Sequence, residues 1–193
     1  MKSSFLTPPE FLSPPLFGIA ISQSSVKIVK MQKKNKGIIP VVFEDAVFSG
    51  VCNVLDETPD QESCGELKKT ILNLKKKHNI VFAQLSIPEE HTYVFEVRVP
   101  REALLMVKEF IVSNIDQYIP LSATEVYFDH KILKAHIKEE VVPVIVTAIP
   151  RIIVEKYTNI VESCGILPVG CEPETHAIAR CVIDKGDMNP YII

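Results

Sequence analysis

The sequence holds no C-x-x-C pair and no H-E-x-x-H, and its five cysteines, at 52, 64, 164, 171 and 181, are odd in number and widely spread. That spacing suggests neither a zinc site nor a disulfide framework, so reduced, mostly buried thiols are expected. The five histidines, at 78, 91, 130, 136 and 176, are equally scattered, and no metal is assigned to them. No apolar run approaches the ~20 residues that a membrane-spanning helix needs. The first sixteen residues lack a basic segment followed by an uninterrupted apolar stretch, so no cleaved signal is expected. A positive excess is missing as well: a net charge of −3 with 23% charged residues argues against a dedicated nucleic-acid binder.

What is present begins with a repeat. Phe5-Leu-Thr-Pro-Pro9 is echoed as Phe11-Leu-Ser-Pro-Pro15. Paired prolines favour extended, polyproline-like chain, and residues 1–16 read as a terminal arm whose Phe-Leu pairs offer a docking element. Lysines cluster twice, at 27, 30, 33, 34 and 36 and at 68, 69, 75, 76 and 77. A solvated hairpin tip and a solvated helix face explain them; contact with an anionic surface is the sharper alternative.

The 193 residues suffice for one or two domains of ordinary size. Phe17, Ile19 and Ile21 alternate as a strand, Ser22-Gln-Ser-Ser25 forms a turn, and Val26, Ile28 and Met31 mark a second strand. Asn35-Lys-Gly37 supplies another turn, and Ile38 to Val47 reads as a third strand of an antiparallel meander. A polar segment, Ser49 to Ser63, leads to a helix with Leu67, Ile71 and Leu74 on one face, closed by His78-Asn79. Ile80 to Ile87 is a strand ended by Pro88. Three strands, a helix and a strand open a ribonuclease-H-like or actin-like subdomain.

A smaller α+β unit follows. Tyr93 to Val99 alternates as a strand, and a helix after Pro100 carries the stripe Leu104, Val107, Ile111, Ile115 and Tyr118. It stops before Pro120. Glu125 to Leu133 and Val141 to Ile149 read as strands. The next helix starts after Pro150, buries Ile153, Tyr157, Ile160 and Val161, and is capped by Gly165. Leu167 to Cys171 is then a strand, and Glu174 to Ile183 a helix packing through Ala177, Ile178 and Cys181. Tyr191-Ile-Ile193 looks like the start of a further strand.

Four stretches in this order resemble the PilM family of actin-like type IV pilus assembly proteins, and more distantly FtsA. They are Gly18-Ile-Ala-Ile-Ser-Gln-Ser-Ser-Val-Lys27; Gln117-Tyr-Ile-Pro-Leu121; Ala148-Ile-Pro150 with Cys164-Gly-Ile-Leu-Pro168; and Glu172-Pro-Glu-Thr-His-Ala-Ile-Ala-Arg180. The resemblance implies an α/β protein: an actin-like subdomain over 17–91, an inserted strand-helix-strand-strand (SHS2-type) subdomain over 92–165, and a return segment over 166–193. It also implies that the chain corresponds to the N-terminal half of such a protein.

In actin-like proteins the first phosphate loop opens with an aspartate that helps to hold magnesium, followed two residues on by a glycine. Ala20 and Ser22 stand at those positions. The resemblance leaves Ser22, Gln23, Ser24, Ser25 and Lys27 as residual phosphate-loop positions, while the residues themselves read as a polar hairpin turn. No catalytic residue is assigned: Glu89-Glu-His91 reads as an exposed turn, and Glu172 and Glu174 suit a helix start.

ATPase activity and a bound cofactor are therefore not expected, with ATP and magnesium admitted only if a second half completes the pocket. The resemblance implies instead a cytoplasmic scaffold at the inner face of the membrane. Its partner would be the cytoplasmic tail of a PilN-like inner-membrane protein, with pilus assembly ATPases and other pilus components beyond it. The membrane would be reached only through partners, without nucleic acid. The alternative is half of a nucleotide-binding actin-like ATPase or a sugar-kinase-like enzyme. An FtsA-like tether would need a C-terminal amphipathic helix, for which Asp184 to Ile193 is too short.

Overall fold

A computed structural model describes residues 15–34, 37–49, 61–133 and 136–183, with residues 61–64 described only as helical backbone. The proline-paired repeats up to Pro14, Asn35 and Lys36 of the second turn, residues 50–60 of the polar segment with Cys52, and the segment from Asp184 onward lie outside the described residues. The elements are β1 (Leu16–Ile21), β2 (Ser25–Lys34), β3 (Gly37–Val47), α1 (Gln61–His78), β4 (Phe82–Ile87), β5 (Tyr93–Pro100), α2 (Val107–Asn114), β6 (Val126–Ile132), β7 (Val141–Pro150), α3 (Arg151–Ser163), β8 (Leu167–Pro173) and α4 (Glu174–Val182). They divide into two compact units. The first takes residues up to Ser86 with Thr158–Glu172; the second takes Ile87–Tyr157 with residues from Pro173.

The first unit is built on a sheet of order β3-β2-β1-β4-β8. β1 pairs antiparallel with β2 and parallel with β4, so that Ile19 stands between Ile28 and Leu85. Period-two alternation puts Phe17, Ile19 and Ile21 on one buried face with Val26, Ile28, Ala83 and Leu85. Leu67, Ile71 and Leu74 of α1 are buried too, at the three- and four-residue steps of a helix stripe. Each such side chain contributes about 1.5–3 kcal/mol on burial.

α1 starts at Gln61, earlier than the apolar period at Leu67 indicates, because its first turns carry no periodic residue to mark them. It ends at Asn79, whose φ of 57° lies in the left-handed region, and the Ile80 N–H donates to the Lys75 carbonyl at 3.1 Å. On the sheet's other face Gly18 is required by close packing: a Cβ there would lie 2.9 Å from Cγ1 of Val29.

The second unit carries a three-stranded antiparallel sheet, β5-β7-β6. Its core joins Val97, Val99, Val126, Val144, Val146 and Ala148 of the strands to Val107, Ile111, Ile115 and Ile119. The predicted single helix is a composite: a 3-10 turn over Arg101–Met106, α2, and another 3-10 turn over Ile115–Gln117. The buried stripe Val107, Ile111, Ile115 and Ile119 instead runs in four-residue steps, so Ile119 is buried where Tyr118 was expected. Tyr118 lies outside, its ring stacked on Phe95 at 5.2 Å. α4 departs further from expectation. None of its residues is buried, and Ile178 and Cys181 are exposed, so the apolar stripe read as a packing face is only partly covered among the described residues.

Candidate functional site

The β1–β2 connection turns its polar groups onto itself. The Ser22 N–H donates to the Ser25 carbonyl at 2.9 Å, and the Ser25 N–H donates to Ser22 Oγ at 3.1 Å. Ser22 Oγ also lies 3.1 Å from both the carbonyl and the hydroxyl oxygen of Ser25. From the other side the Phe48 N–H donates to the Ser24 carbonyl at 3.0 Å, which ties the turn to the end of β3. Ser25 is buried, while Ser22, Gln23, Ser24 and Lys27 are exposed. Two of the three serine hydroxyls are thus engaged inside the turn, an arrangement a hydroxyl-rich hairpin adopts without a ligand.

Beyond the turn, Ala20 stands between Lys27 of β2 and Ser86 of β4, and Lys27 faces Asp45 of β3. These four side chains share one face in a single row across the strands. The row offers one cation, one carboxylate, one hydroxyl and a methyl group. A methyl at position 20 cannot hold a metal ion or its waters.

Two polar clusters of the first unit join residues that lie far apart in the sequence. Glu44 Oε2 lies 2.6 Å from His78 Nε2, and Lys77 Nζ donates to both Glu44 oxygens at 2.9 Å. The Lys77 hydrogen bond first, and the His78 one second, hold the Glu44 carboxyl below its ordinary value. Lys75 Nζ donates to the carbonyls of Cys164 at 3.0 Å and Gly165 at 2.8 Å, at the end of α3. Both lysines belong to the run read as a solvated helix face. The cap was partly legible, since a helix ending in glycine leaves carbonyls that a cation satisfies. Nothing in the sequence tied position 75 to position 165.

In the second unit, the Thr175 hydroxyl donates to Glu89 Oε2 at 2.5 Å and His91 Nε2 lies 3.2 Å from Glu90 Oε1. Glu89-Glu-His91 forms a 3-10 turn. The Arg151 guanidinium covers the Tyr127 ring at 4.1 Å. Across the two units Cys164, Cys171 and Cys181 are free, and burial pushes the Cys171 thiol up to about 11. Among the described residues no three His, Cys, Asp or Glu side chains converge in a way that could hold a metal ion.

A mixed five-stranded sheet opened by a β-hairpin, with a strand-helix-strand-strand unit set into the chain before its last strand, defines an actin-like α/β fold. The chain belongs to the family described as "Type IV pilus assembly protein PilM", whose model matches residues 18–185. Among solved structures it is similar to the "PilM-PilN type IV pilus biogenesis complex", with a TM-score of 0.69, 20% identity, 86% of this chain covered and 49% of that one. It is also similar to the cytoplasmic domain of EpsL, described as an inner membrane component of the type II secretion system of Vibrio cholerae. That match has a TM-score of 0.54 and 9% identity, covering 81% of this chain and 56% of the other. The chain therefore spans about half the length of the solved structures it matches. No curated protein sequence matches it significantly.

Proposed function

We propose that this chain works in type IV pilus assembly as a cytoplasmic scaffold that binds the tail of a PilN-like inner-membrane protein. The observation that carries this reading is the family match over residues 18–185. The likeness, over 86% of the chain, to a structure described as the PilM-PilN type IV pilus biogenesis complex supports the choice of partner. Among the described residues no helix is long and apolar enough to cross a membrane, which suits recruitment through a membrane-anchored partner. On this reading 92–165 is an inserted module that supplies partner surface, and 17–91 with 166–193 form the actin-like part. Pilus assembly ATPases and other pilus components would be reached through the same scaffold.

Ser22, Gln23, Ser24, Ser25 and Lys27 are proposed as the remnant of a phosphate loop rather than a working one. Support comes from the turn's self-directed hydrogen bonds and from Ala20 at the metal-holding position. The chain is accordingly proposed to have no ATPase activity. The deciding experiment immobilises the synthetic cytoplasmic tail of the cognate PilN-like protein and measures retention of the full chain. Saturable retention, abolished by scrambling the tail sequence, is the expected result; no retention would sink the proposal.

A further inference from the structure

β3 is an edge strand of eleven residues, and it is unusually apolar for one. Phe43 is 71% exposed, Val47 76% and Ile38 67%. The Phe48 N–H donates inward to Ser24, so alternate backbone groups from there turn toward β2. Phe43, Asp45 and Val47 consequently direct their N–H and C=O groups outward. A bulge at Val41, between the pairs Lys30–Val42 and Met31–Pro40, shifts the alternation. Below it Ile38 and Pro40 face outward, and Pro40, which has no N–H to offer, sits at the open edge where proline is tolerated.

Charge is distributed unevenly along this edge. Lys33 and Lys34 beside one end form no ion pair among the described residues, and Asp45 near the other forms none either, although Lys27 stands next to it in the β2–β3 register. Lys33 stands next to Ile38 and Met31 next to Pro40 in the β2–β3 register. An antiparallel copy of the same strand matches this pattern. With Phe43 of one copy opposite Pro40 of the other, Asp45 falls opposite Ile38 and within reach of Lys33, while Phe43 meets Pro40 and Met31. The twofold repeats both contacts. A register centred on Asp45 would instead set two carboxylates against each other, which is destabilising.

We propose that β3 pairs antiparallel with β3 of a second copy of this chain, joining the two five-stranded sheets edge to edge. The Pro40–Phe43 pairs carry one hydrogen bond each instead of two, so association is reversible and leans on Phe43 and on the Asp45–Lys33 attraction.

Sedimentation velocity of the full chain over a concentration series tests this. A salt-sensitive monomer–dimer equilibrium is expected, with Phe43→Lys and Asp45→Lys each raising the dissociation constant about tenfold or more. The double variant Asp45→Lys with Lys33→Glu should restore dimerisation, an outcome that misfolding cannot mimic; circular dichroism melts check the single variants. A photo-crosslinker at position 43 should label the Pro40 region of the other copy. A chain that stays monomeric at every concentration, or a dimer indifferent to these substitutions, overturns the proposal. So does a monomer whose β3 edge takes up a foreign extended peptide.

Discussion

Lys75 Nζ lies 2.8 Å from the carbonyl oxygen of Gly165, the residue that ends α3 with φ +73°. The ammonium thereby fills the place where a Cβ on residue 165 would stand, 2.5 Å from Nζ. One lysine of α1 thus caps a helix some ninety residues away in sequence, while the left-handed φ of Gly165 sets the preference for glycine there.

Removing the cap, Lys75→Met, should destabilise the first unit by about 1 kcal/mol, the usual size of a charge-assisted contact at a helix C-terminus. Gly165→Ala should cost about 1–2 kcal/mol from left-handed strain alone, and more with Lys75 in place. Urea denaturation of the two single variants and the double variant measures this. The double variant should be more stable than the sum of the single effects predicts, because the displaced ammonium is then absent.

Glu44 titrates below its ordinary value because Lys77 and His78 bind its ionised form. A group whose folded value is depressed contributes stability that is present above its unfolded value. That stability is lost as the pH falls through the folded one. Acid denaturation should therefore steepen below pH 4.5, the ordinary glutamate value. Glu44→Gln should flatten that limb while leaving the neutral-pH fold intact by circular dichroism.

Ile119 and Tyr118 are neighbours with opposite fates, one buried and the other stacked on the surface against Phe95. Ile119→Ala should cost about 2–4 kcal/mol in equilibrium unfolding, the range for an emptied core site. Tyr118→Ala should cost about 1 kcal/mol, the value of an exposed aromatic pair. The reverse order would mean that Tyr118, and not Ile119, fills the core site.

Restoring the two missing loop residues, Ala20→Asp with Ser22→Gly, should still give no measurable magnesium-dependent ATP binding by calorimetry. The carboxylate introduced at position 20 would gain Lys27 as a neighbour and be neutralised by it, and loss of the Ser22 hydroxyl removes the bonds that close the turn. Binding at micromolar affinity would show that a working phosphate site survives in this half-length chain.

Strand positions were legible wherever apolar residues alternated, as in Phe17, Ile19 and Ile21, because a half-buried strand imposes that period directly. The left-handed helix end at Gly165 was legible for the same local reason. Positions that depended on distant neighbours were not. Tyr118 and Ile119 both sit at a helical spacing from Ile115, and only the packing of the second unit's core decides that Ile119 enters it. Glu44 and His78 lie in different elements, 34 positions apart, and no local pattern announces their contact. The polar turn at Ser22 to Ser25 was read correctly in its residues, but its closure is a matter of hydroxyl geometry that composition does not encode.

The place of β4 in the sheet has a consequence for synthesis on the ribosome. Its one edge is covered early by β1, but the other waits for β8, which begins only at Leu167. The whole of Ile87–Tyr157 is made in between. For that interval the nascent chain carries the unpaired edge of Phe82–Ile87, a strand with four apolar residues in six. Such an edge is a template for wrong pairing. The three-stranded sheet of the second unit, whose pairings from Tyr93 to Pro150 are all local to its own segment, can form during the wait and keep its own strands from joining the open edge.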